Sequence, residues 1–187
     1  DAILAEPEPH APFAFARAVW HYGRGVAFAA TGQADSAMAE LGAIEALEPE
    51  VDEIFMGNVY PAKDLLGIAK ALLRGELAYR QANAAEAVEH FAEAVALQDA
   101  LPYTEPPFWY YPTRQSLGAA LLADGRAKEA QAVFEADLKQ YPMNGWSTFG
   151  LAEAMSVQGD EVGAKKALDR FETLWQFADV TLSTSIL

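Results

Sequence analysis

Apolar residues recur along this chain at spacings of three and four, the period of a helix with one buried stripe. This periodicity begins near Phe13 and runs in blocks separated by turn residues. Two of the blocks are near copies. Leu117, Gly118, Leu121, Gly125, Ala130 and Phe134 return as Leu151, Ala152, Met155, Gly159, Ala164 and Leu168, each 34 residues later. A repeat of that length is a helix–turn–helix unit whose small residues mark where paired helices touch. An earlier block holds Gly25, Phe28, Gly32, Ala37, Leu41 and Ile44 in the same slots and closes at Pro49. A further block fits Gly75, Ala78, Ala87, Phe91 and Ala94, but Ala82 replaces the turn glycine and no proline closes it.

Punctuating residues set the boundaries. Pro7, Pro9 and Pro12 predict an extended lead-in over residues 1–12. The first helix of the second block should start just after Pro61, a favoured first-turn residue. Asn144 should cap the helix carrying Trp146 and Phe149. A long final helix is expected from Asp160 to about Phe177, able to cap the array, with a mobile tail from Thr181 to Leu187.

The repeat alanines Ala37, Ala87, Ala130 and Ala164 lie 50, 43 and 34 residues apart. The excess over the period maps to insertions at 52–67 and 102–110, in loops on one edge of the array. The first starts acidic and becomes apolar through Ile54, Phe55, Met56, Val59 and Tyr60. The second carries Pro102, Pro106 and Pro107 among Tyr103, Phe108, Trp109 and Tyr110, and runs into Tyr111. The expected organisation is one repeat domain over 13–177, with units at about 18–51, 68–101, 111–144 and 145–178, and a tail over 178–187. The expected fold is all-α, a right-handed solenoid of four helix–turn–helix pairs.

Composition narrows the function. Acidic residues number 27 against 13 basic, a formal charge of −14, which disfavours nucleic acid and anionic membrane surfaces as partners. No apolar run approaches the roughly 20 residues of a membrane span. The absence of cysteine excludes disulfides, thiol catalysis and cysteine-ligated metals, and leaves the compartment open, with the cytoplasm slightly favoured over the periplasm. No phosphate loop, nucleophile elbow or serine–histidine pairing stands in the sequence, so neither catalysis nor a cofactor is expected.

The first helix of each unit should line the concave face. Its inward slots hold Val19, Tyr22, Val26 and Ala29, then Ala69, Leu72, Glu76 and Tyr79. They continue with Pro112, Gln115, Ala119 and Leu122, then Trp146, Phe149, Glu153 and Ser156. This apolar, aromatic groove suits an amphipathic helix or a hydrophobic peptide, unless the lead-in or tail fills it. The aromatic loop reads either as a rigid lip beside the groove or as a plug at the joint between the second and third units. The candidate partner-binding residues are therefore Tyr22, Val26, Leu72, Tyr79, Trp109, Tyr110, Tyr111, Gln115, Trp146 and Phe149.

Three histidines raise the question of a metal. Glu86, Glu89, His90 and Glu93 share one helix surface, but a glutamate-rich outer face reads as solvated and no metal is assigned. His21 faces the partner helix and reads as a buried, hydrogen-bonded side chain. The acidic run Glu45, Glu48, Glu50, Asp52 and Glu53 reads as a solubilising rim, with a docking patch as the alternative.

Over residues 18–176 the chain resembles the tetratricopeptide repeat superfamily, most clearly in the third and fourth units. That resemblance implies an adaptor that holds a peptide or a partner protein through an apolar segment. One subclass of the family grips acidic chaperone tails with lysines and asparagines. Here Tyr22, Val26, Ala69, Leu72 and Glu76 fill those slots, so the clamp is absent. The run Tyr103-Thr-Glu-Pro-Pro-Phe-Trp-Tyr-Tyr-Pro-Thr-Arg-Gln-Ser-Leu-Gly118 and the run Asn144-Gly-Trp-Ser147 are similar to the C-terminal region of larger bacterial repeat proteins of unassigned activity. This likeness covers roughly residues 100–187 and implies a fragment of a longer protein, with any chemistry, metal-dependent or otherwise, lying upstream. On that view the segment would be a structural or oligomerising domain, and a homodimer is an open alternative.

Overall fold

The computed structural model describes residues 2–51 and 60–186, and all their regular structure is helical. Among the described residues, nine α-helices follow in chain order. They are α1 (Ala2–Ala5), α2 (Ala14–Ala30), α3 (Ala34–Leu47), α4 (Ala62–Arg80), α5 (Ala84–Ala100), α6 (Arg114–Ala123), α7 (Ala127–Gln140), α8 (Gly145–Val157) and α9 (Glu161–Trp175). A 3-10 turn over Glu48–Glu50 ends the first hairpin. No helix among the described residues is long and apolar enough to cross a membrane. Most of the first insertion, residues 52–59, lies outside the described residues.

The chain packs as two compact units, 1–111 and 112–187. The first holds the hairpins α2–α3 and α4–α5, with α2 also against α4; the second holds α6–α7 and α8–α9, with α7 against α8. The four repeat alanines all lie in the helix packing: Ala37, Ala87 and Ala130 are fully buried and Ala164 is 8% exposed. Opposite them, a side chain at Gly75 would collide with the Phe91 ring, and one at Gly118 or Gly150 with Phe134. Phe91 and Phe134 therefore pack on bare backbone. A side chain at Gly25 would meet Leu73 of α4 before any atom of α3. That glycine governs the approach of the next hairpin more than that of its own.

All four turns are built alike. The backbone N–H groups of Gln33, Asn83, Arg126 and Asp160 donate to the carbonyls of Phe28, Ala78, Leu121 and Met155. This closing bond requires the preceding residue to be left-handed. Gly32, Gly125 and Gly159 take φ values of 75°, 74° and 81° at no steric cost, whereas Ala82 takes 59° with a side chain attached. Asn144 caps α8, its side chain accepting from the N–H groups of Trp146 and Ser147. Asp160 accepts from Gly163 at the start of α9.

Both ends of the chain are more ordered than the proline content and the polar tail predict. Residues 2–5 form a helical turn, and the carbonyls of Leu4 and Glu6 accept from Arg24 and Trp20 of α2. Near the other end, Ser185 and Ile186 are buried at 0% and 6% exposure. Backbone carbonyls do not depend on composition, so neither docking was visible as a pattern in the sequence.

Candidate partner-binding site

In the first unit the aromatic loop folds back onto α2. Trp109 packs edge-on against Tyr22, with ring centroids 5.6 Å apart, then against Tyr110 at 5.3 Å, and Tyr110 meets Tyr111 at 4.8 Å. A second string of rings runs from Phe15 through Tyr60 to Phe108. Tyr22 and Trp109 are only 5% and 7% exposed, so they pack the unit and present little surface to a partner. The Tyr22 and Tyr110 hydroxyls lie 3.3 Å apart. Burial, then the neighbouring Tyr111 and Tyr110, pushes the Tyr22 phenol well above its ordinary range, and burial raises Tyr110 as well. Both are neutral phenols near pH 7 and cannot serve there as phenolate nucleophiles.

Glu76 lies among these residues, 5% exposed, with Arg80 donating to it over 2.7 Å. Burial raises its pKa and the Arg80 charge pulls it back in part. Leu72, at 2% exposure, is core. Val26, Tyr79 and Tyr111 are half-buried, and Tyr110 is 68% exposed. The first unit thus offers Tyr110 as its one exposed ring among the candidates, with Val26, Tyr79 and Tyr111 partly open.

His21 is hydrogen-bonded through Nδ1 to Glu40, which also accepts from Arg24 Nε at 2.8 Å. It is a packing residue of α2 and α3. His90 lies 3.7 Å from Glu86 and 3.9 Å from Glu93. Among the described residues, no group of three acidic or histidine side chains is arranged to hold a metal ion.

In the second unit Gln115 is 1% exposed and Asn144 Nδ2 lies 3.3 Å from its side-chain oxygen. Asn144 and Ser147 both donate to the buried carboxylate of Asp137, at 2.8 and 2.6 Å. Burial raises Asp137 against those two bonds and the Arg114 charge. Gln115 therefore faces a polar knot around the start of α8 and offers almost nothing to a ligand. Trp146 and Phe149 are half-buried because each packs against a ring of α9: Trp146 meets Trp175 edge-on at 4.8 Å and Phe149 meets Phe171 at a tilt at 5.2 Å.

A concavity in the second unit is open to a partner. A groove of about 700 Å³ runs between α8 and α9, floored by Phe149, Ala152, Val157, Ala164 and Leu168. Glu153, Glu161, Asp169 and Glu172 rim it, with Lys165 as the cation of the lining. Lys165 pairs with Asp169 at 2.8 Å, and burial raises the pKa of Glu153. The candidates drawn from the inward slots include Phe149 but none of the α9 residues. A signal was present, because α9 carries apolar residues on more than one side. Ala164 and Ala167 are buried, while Val162 and Leu168 are 84% and 40% exposed.

No family model and no curated protein sequence matches the chain. Solved structures do. A Podosopora anserina protein assigned as a kinesin light chain of nearly identical TPR-like repeats is 18% identical, with a TM-score of 0.56 over 95% of this chain and 82% of that one. A substituted form of that protein is 20% identical, with a TM-score of 0.57 over 86% of this chain and 75% of that one. With helical hairpins, buried repeat alanines and left-handed turns in common register, the chain has the all-α, TPR-like repeat fold.

Proposed function

We propose that the chain is a non-catalytic interaction scaffold whose partner presents an amphipathic helix with a basic polar face to the α8–α9 groove. Stacked helical hairpins are built to present such surfaces, and none of the titratable clusters described above joins a nucleophile to a base. The observation that carries the reading is the groove itself, an apolar floor flanked by four carboxylates and one ion-paired lysine. The floor supplies contact area, and the rim selects cationic flanks and speeds their encounter.

The test is fluorescence anisotropy with two labelled model helices of roughly 18 residues, long enough to be helical when docked. Both carry the same leucine stripe; one has lysine and the other glutamate on its polar face. The lysine helix should bind, weaken as salt is raised, and lose about tenfold or more on Leu168→Arg. Equal binding of the two helices, or indifference to Leu168→Arg, would overturn the reading. A second reading, self-association, rests on the exposure of Val157, Val162 and Phe177 at 71%, 84% and 92%. The charge of −14 opposes it, and mass in solution at high and low salt decides it.

A further inference from the structure

The segment from Val180 to Ile186 reads Val-Thr-Leu-Ser-Thr-Ser-Ile, seven residues without a charge in a chain where 21% are charged. Hydroxyl and β-branched residues disfavour helix, and no helix forms there. It is nonetheless held by contacts that include two hydrogen bonds. Trp175 Nε1 donates to the Val180 carbonyl at 2.7 Å, holding the segment where it leaves α9. Ser185 Oγ then donates to the backbone carbonyl of Gln115 on α6, at 3.1 Å and 70 residues away in sequence. Ser185 is wholly buried and Ile186 is 6% exposed, whereas Thr181 and Ser183 between the two pins are exposed.

We infer that residues 180–186 are an intramolecular ligand, strapped to a seat on α6 beside Gln115, and that this seat takes in competition an extended peptide bearing a hydroxyl residue followed by an aliphatic one. The recognition is of a backbone carbonyl by a hydroxyl, together with burial of the aliphatic side chain that follows it. It asks for no charge and no helix, unlike the α8–α9 groove, and it stands whether or not that groove has a partner. The entropy of ordering seven residues works against these contacts and favours release of the strap. Covalent tethering gives it an effective concentration on the order of millimolar, which a free peptide must overcome.

The probe is a fluorescein-labelled peptide of residues 178–186, titrated by anisotropy against the full chain and against full-length Ile186→Asp and Ile186→Gly. Either substitution releases the strap in cis and leaves the seat intact; the glycine variant adds no charge near the core. Circular dichroism checks that helix content is unchanged. The peptide should bind the variants about tenfold or more tighter than the parent, and a scrambled peptide should bind none of them. Equal binding to parent and variants, or no binding to a folded variant, overturns the inference.

Discussion

Ala82→Gly should stabilise the protein, although it removes a methyl group from a helical repeat. At the three equivalent turns a glycine holds the left-handed conformation; here an alanine holds it at φ 59°. A side-chain-bearing residue in that region is disfavoured by about 1–2 kcal/mol. Glycine gives part of that back by enlarging the unfolded ensemble, by about 0.4–1 kcal/mol. Taking the middle of both ranges, the net gain is about 0.8 kcal/mol, or about 2–3 °C in Tm for a chain of this size. Gly125→Ala is the reciprocal control. A Cβ at Gly125 meets nothing within 4 Å, so the backbone penalty acts there without any clash. It should lower the midpoint by a similar amount. Urea and thermal unfolding followed by far-ultraviolet circular dichroism measure both variants. If Ala82→Gly leaves the midpoint unchanged or lowers it while Gly125→Ala is destabilising, the Ala82 turn is not strained and the argument fails.

Phe134→Ala should cost about 3–5 kcal/mol, because the ring is fully buried and fills the space over both Gly118 and Gly150; loss of cooperative unfolding in the second unit would be the extreme outcome. Glu40→Ala leaves the donors of Arg24 and His21 without their carboxylate, which should cost about 1–3 kcal/mol in urea unfolding, with Glu40→Gln recovering part. Glu76 has a folded pKa raised above its ordinary 4.5 by burial, so the folded state holds that proton more tightly. Its contribution to stability is therefore present at low pH and is lost as pH rises through the raised value. Urea midpoints taken from pH 4.5 upward should decline less steeply for Glu76→Gln than for the parent, and a steeper decline would contradict the burial argument.

Sequence and tertiary structure divided the determination between them. The sequence by itself settled the hairpins, because the repeat alanines, the turn glycines and the Asn144 cap act through local geometry: a small residue where helices touch, a left-handed residue where they turn, a side-chain acceptor where a helix starts. It also marked Ala82 as the irregular turn, since a missing glycine is visible in the register. Which aromatic residues remain available was decided only by packing. Tyr22 and Trp109 carry the same signature as Tyr110, yet two are buried and one is exposed, because ring packing depends on where the loop returns. The inward slots pointed to Gln115, which the structure turns toward Asn144, and passed over Leu168, which it leaves on the floor of the groove. The strap of residues 180–186 reaches a backbone carbonyl 70 residues away. No sequence pattern encodes such a contact, because every residue carries that acceptor and only the folded chain selects the one that is used.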